Sequence, residues 1–314
     1  MKKVIFTVLL LYGIKIMSNF YQQKSILVTG GAGFIGSHIV EELVKQGAFV
    51  CVLDNLSTGS LDNLSSVIND ITVIQGDITS FSSCLAATHN QQIIFHCAAM
   101  VSVPESIEKP RLCSKVNVAG TYNLLEAARI NRVERFIFSS SAAVYGNQEN
   151  PCKETELCEP TSPYGLSKLI SEQYCQLYTK LFNLPTLCLR YFNVYGKRQQ
   201  TQQHGIYEKI RAAMRDNRSI TVFGDGEQTR DFISVNEVTE ANLLLAQLPT
   251  TYLNGQAINI ATGKNVSINI LIEKFKQEFP HYKNEISYEA ARYGDIKHSS
   301  AAVEKYKKLK ELMS

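Results

Sequence analysis

Short apolar runs alternate with longer amphipathic stretches over the first two thirds of the chain. Residues 25–29 (SILVT) form an unbroken apolar run ending in glycines, the pattern of a strand buried on both faces. A helical period follows over 34–46, and Gly47 supplies its stop signal. Residues 48–53 (AFVCVL) read as a second buried strand, with further strands at 71–75, 93–96 and 136–139. Helical spacing fills the intervals, most clearly over 111–130. A long helix covers 164–182, and Pro185 separates it from a strand at 186–190. This alternation predicts βαβ units, an α/β fold built on a doubly wound, Rossmann-type parallel sheet. After Gly196 the rhythm changes: a polar stretch with four glutamines at 197–204, a helix at 206–215, a strand near 219–223 and a glycine-rich turn at 224–226. The expected organisation is an extension outside the fold at 1–23, a first domain at 24–196 and a smaller α/β lobe at 197–314. Some segments are expected to cross between the two.

Composition narrows the partners. At 314 residues and 45% apolar content the chain has material for a full core. The net charge of +3 is spread along the chain, so no basic stripe for nucleic acid is expected. The basic run at 305–310 reads as the solvated face of a terminal helix. None of the eight cysteines forms a C-x-x-C pair, and several sit in apolar runs. Buried free thiols in a reducing compartment are expected, with no disulfide framework and no metal site. At the N-terminus, Met1-Lys2-Lys3 precedes an apolar stretch at 4–14. It has the shape of a signal peptide without a small-x-small cleavage site, and falls short of the ~20 residues that span a bilayer. An extension with Met17 as a second start is the preferred reading, and a membrane tether the lesser one.

The candidate chemistry begins between the first strand and the first helix. Gly30, Gly33 and Gly36 have G-x-x-G-x-x-G spacing, with Phe34 and Ile35 opening the helix. Small residues there let the chain turn, bring its backbone to a pyrophosphate and pack helix on strand; the helix N-terminus adds free N–H groups and partial positive charge. Asp54 follows at the end of the second strand, eighteen residues after Gly36. A carboxylate at that place suits ribose hydroxyls and repels a 2′-phosphate, which favours NAD over NADP. The plainer alternative is a glycine turn with a coincidental aspartate. Asp77, ending the third strand, is a candidate adenine contact or, by itself, a helix N-cap.

TGGAGFIGSHIV at 29–40, DNLSTG at 54–59, GDI at 76–78, HCAA at 96–99, SSSAAVYG at 139–146, YGLSK at 164–168, RYFNVYG at 190–196 and RDF at 230–232 together resemble the extended short-chain dehydrogenases/reductases, and within them the nucleotide-sugar epimerases. The likeness covers about 24–300 of the chain. It implies NAD as cofactor, held also by Asn55, Ile78 and Ala98, a UDP-sugar as substrate, cytoplasmic residence beside both, and a homodimer paired through the helices at 111–130 and 164–182.

Tyr164 and Lys168 form Y-x-x-x-K, one helical turn apart on one face. A nearby ammonium and a positive nicotinamide are expected to lower the tyrosine's pKa, making it a base for a sugar hydroxyl. On a helix alone this spacing is common; its setting after SSS gives it meaning. The resemblance makes Ser141 the catalytic partner and leaves Ser139 and Ser140 as strand-end packing. Ala142 and Ala143 stand where related dehydratases carry Asp and Glu, which turns the expectation from elimination to 4-epimerisation through a 4-keto sugar. Asn193, Arg230 and Arg292 match diphosphate contacts, Phe223 a uracil neighbour, and Ser102 and Ser299 the sugar pocket. A small Ser299 leaves room for a 2-acetamido group, favouring UDP-N-acetylglucosamine/UDP-N-acetylgalactosamine. A UDP-glucose 4-epimerase, another nucleotide-sugar enzyme of the same family and a catalytically silent NAD-binding protein remain the alternatives.

Overall fold

A computed structural model describes residues 20–148, 151–199, 205–291 and 297–313. Its strands in chain order are β1 (Ser25–Thr29), β2 (Phe49–Asp54), β3 (Ile71–Gln75), β4 (Ile93–His96), β5 (Arg135–Ser141), β6 (Thr186–Tyr191), β7 (Asn193–Tyr195), β8 (Ile220–Phe223), β9 (Thr229–Ser234), β10 (Asn254–Ile260), β11 (Asn265–Ser267) and β12 (Ile286–Glu289). The helices are α1 (Phe34–Lys45), α2 (Phe81–Ala87), α3 (Val103–Glu108), α4 (Pro110–Cys113), α5 (Gly120–Ile130), α6 (Pro163–Phe182), α7 (Ile206–Arg215), α8 (Val235–Ala246), α9 (Ile268–Glu278) and α10 (Glu304–Met313).

Seven strands form one parallel sheet in the order β3-β2-β1-β4-β5-β6-β10. The order reverses between β1 and β4, which opens a crevice at their C-terminal ends, the place where such sheets bind ligands. Both faces are covered, and the strand alternation sorts side chains between them. Ile26 and Val28 of β1 point into a core shared with α1 and α8. Leu27 joins the opposite core, with Leu124 and Leu125 of α5 and Cys175 and Tyr178 of α6. A separate core sits in the second lobe, where Ile210 and Met214 of α7 and Leu271 and Phe275 of α9 pack on Val222 of β8.

Two features bear on the expected boundaries. The fold begins before residue 24. Tyr21 is 1% exposed, its ring belongs to the first core, and its hydroxyl donates to the Leu243 carbonyl at 2.5 Å. An aromatic that fills a core site and satisfies its polar tip is part of the domain. Residues 1–19 lie outside the described residues. Further on, the chain crosses between lobes. β10 pairs with β6 at the sheet edge, and α8 packs beside α1, while β7 pairs with β9 in the three-stranded sheet β11-β9-β7.

The region read as one helix over 111–130 is α4, a π-helical turn (Ser114–Ala119) and α5 in succession. No helix among the described residues is long and apolar enough to cross a membrane. All eight cysteines are free thiols, six of them buried.

Candidate active site

The glycine loop lies against the C-terminal ends of β1 and β4. Gly30 has φ +67°, and a Cβ there would sit 2.6 Å from the Ala98 nitrogen, so only glycine permits this approach. Ser80, Ser102, Ser162, Ser234 and Ser267 cap the helices they precede, whereas Gly33 gives α1 no side-chain cap. The first turn of α1, Phe34 and Ile35 included, thus lacks a side-chain acceptor of its own, which suits the phosphates of a dinucleotide. Asp54 is 7% exposed; its Oδ2 accepts from the Ala32 nitrogen at 2.9 Å and its Oδ1 from the Leu56 nitrogen at 2.8 Å. The carboxylate thereby joins the glycine loop to the loop after β2. Asn55 donates to Asp77 at 2.9 Å, and the Thr79 nitrogen donates to the other Asp77 oxygen at 2.7 Å. Burial works against the Asp77 carboxylate, but the hydrogen bonds from Thr79 and Asn55 outweigh it and hold the pKa below the usual value. Ser80 caps α2, so Asp77 does not. Ile78 is buried beneath Gly120. The glycine loop, Asp54 and Ala98 form one contiguous surface, and its donor set fits a dinucleotide with free ribose hydroxyls.

Ser141 ends β5, and its Oγ accepts from the Ala143 nitrogen at 3.1 Å, starting a tight turn through Ala142 and Ala143. Ser162 caps α6 and Pro163 opens it, which fixes Tyr164 in the first turn. A Cβ at Gly165 would lie 2.4 Å from the Ala143 carbonyl oxygen, so glycine lets the start of α6 press against that turn. Ser141 and Tyr164 are thus brought together. Burial raises the Tyr164 pKa, a hydrogen bond from Ser141 lowers it by less, and the neighbouring Cys113 adds to the rise. The protein's own groups therefore move it upward, opposite to the direction expected from Y-x-x-x-K.

Lys168 is 3% exposed, its Nζ donating to the Ser139 carbonyl at 2.8 Å and standing 5.9 Å from the Tyr164 ring centre. Burial pushes its pKa down to about 8. Ser139 and Ser140, read as packing residues, are polar partners here. Ser139 also meets the Cys97 thiol and the Tyr191 hydroxyl, and Ser140 donates to Glu172.

Sequence reasoning missed Asn117, in the π-helical turn. Its side chain accepts from the Met100 nitrogen at 2.8 Å and donates to the Met100 carbonyl and the Ser167 Oγ at 2.9 Å each. Asn117 thus ties the loop after β4 to α6. Ser106 does similar work, accepting from the Tyr164 nitrogen at 3.2 Å. The only sequence signal for either was a polar residue on a buried helical face.

The second-lobe candidates gather more loosely. Asn193 opens β7 opposite Phe232. Arg230 lies on β9 and donates to the Thr229 carbonyl at 2.9 Å; the Ser299 nitrogen donates to the same residue's carbonyl at 3.1 Å. Arg230 and Ser299 therefore flank Thr229. Phe223 ends β8, its carbonyl held by Gln228 at 2.8 Å. Ser102 caps α3, accepting from the Glu105 nitrogen at 3.2 Å. Arg292 lies outside the described residues.

Known proteins share this fold. A UDP-N-acetylglucosamine 4-epimerase from Methanobrevibacter ruminantium, solved with UDP-N-acetylmuramic acid, superposes with a TM-score of 0.86 at 36% identity, covering 92% of each chain. A UDP-glucose 4-epimerase from Thermus thermophilus, solved with NAD, gives 0.82 at 32% identity, again over 92% of each chain. A UDP-glucose 4-epimerase of Mycolicibacterium smegmatis is 36% identical over 251 residues, 77% of this chain and 78% of its own. The family profile described as NAD dependent epimerase/dehydratase matches residues 26–261, the span from β1 through β10. With its glycine loop, Asp54 and Y-x-x-x-K helix in the expected places on that sheet, the chain belongs to the NAD-dependent epimerase/dehydratase family.

Proposed function

We propose that the protein interconverts UDP-N-acetylglucosamine and UDP-N-acetylgalactosamine at C4 through a 4-keto sugar. The observation that carries this reading is the union of Ser141, Tyr164 and Lys168 around a turn made by Ala142 and Ala143. Bound NAD supplies the hydride acceptor, and in its reduced form the donor, at C4. Tyr164 takes the proton from the 4-hydroxyl, with Ser141 bridging to the sugar oxygen, and returns it when the opposite face is reduced. Because burial raises the Tyr164 pKa, its activation needs the added positive charge that an oxidised nicotinamide would supply. The methyl groups of Ala142 and Ala143 offer no acid or base to expel a 6-hydroxyl, so oxidation and re-reduction at C4 remain.

Arg230 and Asn193 hold the diphosphate, Phe223 packs by the uracil, and Ser299 with Ser102 lines the sugar pocket. The small Ser299 beside Thr229 and Arg230 supports acceptance of a 2-acetamido group, as does the likeness to a UDP-N-acetylglucosamine 4-epimerase. UDP-glucose is the second reading, supported by UDP-glucose 4-epimerases among the relatives. The enzyme works in the cytoplasm as a homodimer, joined by an apolar stripe on α6 and the α4–α5 segment.

The test is incubation of the full chain with each UDP-sugar separately, with chromatographic resolution of the C4 epimers. Expected is an equilibrium mixture from the acetamido sugar with no net NADH, and loss of turnover by at least about 100-fold in Tyr164→Phe with NAD still bound. Conversion of UDP-glucose alone would sink the acetamido preference. Near-normal rates in Tyr164→Phe would remove the assigned base.

A further inference from the structure

The turn that follows β7 joins α1 to the second lobe, and the chemistry above makes no use of it. Arg198 sits in this turn with φ +70°, a left-handed conformation uncommon for a residue with a side chain. From there its guanidinium reaches α1. Nη1 donates to the Ser37 Oγ at 3.2 Å and Nη2 to Glu41 Oε1 at 2.6 Å. Ser37 in turn donates to the Phe34 carbonyl at 3.1 Å, so this run of hydrogen bonds ends at the first residue of α1, beside the glycine loop. Glu41 also accepts from Ser66, in the connection from β2 to β3. The side chains of Arg198 and Glu41 are 25% and 17% exposed, so water screens this pair less than an open surface bridge. Burial works against the Glu41 carboxylate, but the hydrogen bonds from Arg198 and Ser66 outweigh it and hold its pKa below the usual value.

Gln199, the next residue, is tied to the second lobe. Its Nε2 donates to the Val194 carbonyl of β7 at 2.9 Å. Gly205, with φ +82°, precedes α7, and a Cβ there would lie 2.4 Å from Gln199 Nε2, so glycine lets α7 begin directly against that amide. Gln199 and Gly205 line a pocket of about 190 Å³ together with Asn193, Tyr207 and Phe232. Asn193 is the residue proposed above for the diphosphate. Two adjacent side chains therefore hold one turn from both sides: Arg198 to α1, and Gln199 to the wall that carries Asn193.

We propose that Arg198 is a positioning residue for the UDP-sugar: clamped on Ser37 and Glu41, it holds the 197–199 turn, and with it the pocket wall at Asn193, in the binding geometry. It acts through Glu41 and Gln199 rather than by touching the substrate. The inference rests on the UDP-sugar reading of the site. A turn that is no longer pinned must be ordered each time the nucleotide binds, so the cost falls on affinity and not on the hydride step.

The experiment is calorimetric titration of UDP into the full chain loaded with NAD, beside steady-state epimerisation. It is run on the native protein, Arg198→Ala, Glu41→Ala, their double variant and Arg198→Lys. Expected in Arg198→Ala is a rise of about 10-fold in the UDP Kd and in KM, with kcat within about 2-fold of native and NAD retained. Glu41→Ala should match it, and the double variant should bind no more weakly than either, because both substitutions remove one contact. Arg198→Lys, which keeps the charge but cannot fork between Ser37 and Glu41, should lie between. Should Arg198→Ala not fold, Glu41→Ala and Arg198→Lys decide the same question. A lower melting midpoint with an unchanged UDP Kd would mean a merely structural pair and overturn the proposal. So would a fall in kcat at constant KM, loss of NAD from Arg198→Ala, or additive losses in the double variant, which would make Arg198 a direct ligand contact. A native protein that binds no UDP overturns the UDP-sugar reading and this inference with it, whereas native binding with unaltered variants overturns this inference alone.

Discussion

His96 shows how much one residue's environment can set. It is 1% exposed at the end of β4, with Nδ1 2.7 Å from Thr29 Oγ1 and Nε2 2.9 Å from Thr121 Oγ1. Thr121 spends its own proton on the Asn117 carbonyl, so it accepts from Nε2–H, and Thr29 donates to Nδ1. Both ring nitrogens are satisfied in the neutral form. Burial, with the Lys168 charge behind it, pushes the His96 pKa down to about 3. The sign follows from linkage: between pH 6.5 and 3 the unfolded chain binds a proton that the folded chain refuses, so stability is full above 6.5 and falls as pH falls. The loss is on the order of 4 kcal/mol across that window. Urea unfolding from pH 7 to 4 should show it, and His96→Asn, lower in stability at pH 7, should show a flatter acid limb. An unchanged slope in that variant would assign the acid sensitivity elsewhere. Lys168 contributes in the opposite part of the scale. Its folded pKa of about 8 lies below that of a free lysine, so stability should rise with pH from about 8 to 10.4.

Among the elements, the interrupted helix over α4 and α5 has the most bearing on the site. A six-residue π-helical turn frees the Asn117 carbonyl to accept from Thr121 at 2.6 Å and from Ser171 at 3.1 Å, while its side chain bridges Met100 and Ser167. Asn117→Ala would strand the Met100 N–H and carbonyl and take one donor from the Ser167 hydroxyl, which keeps its bond to the Tyr164 carbonyl, a loss of about 2–4 kcal/mol. Its melting midpoint should drop by several degrees, whereas Asn117→Asp, which keeps the acceptor, should lose less. Equal losses in the two variants would show that the acceptor to Met100 contributes nothing. This turn was not legible in the sequence, because apolar residues recur there at helical spacing and an i→i+5 turn leaves no period of its own. By contrast β1 and β4, buried on both faces, were legible to the residue as continuous apolar runs bounded by turn residues, and β3, at the sheet edge, by its β-branched run. The proposed trio of Ser141, Tyr164 and Lys168 was chosen from Y-x-x-x-K and SSS. The roles of Ser139 and Asn117 were not legible, because they depend on backbone groups brought from other strands and loops.

At the scale of the whole molecule, crossing between the lobes was an expectation of the sequence, but which segments cross was not legible there. β10 and α8 follow the second lobe's first strands yet complete the large sheet and its covering layer, because their apolar faces match β6 and α1. One surface stays apolar after this packing. Leu166, Leu177 and Leu181 of α6 are 48%, 44% and 58% exposed, and Leu112 and Tyr122 of the neighbouring segment are 44% each. Leu166 and Leu177 are eleven residues apart, three helical turns, and Leu181 follows one turn on, so they form a stripe on one face. A stripe of this kind marks an interaction surface, and two antiparallel copies of α6 would cover each other's leucines about a two-fold axis. Light scattering at micromolar concentration should return twice the 35.1 kDa of one chain. Leu177→Asp with Leu181→Asp should return the single-chain mass while retaining bound NAD, because both side chains lie away from the glycine loop and Asp54. A native protein with the mass of one chain would refute the homodimer and leave the stripe to a different partner.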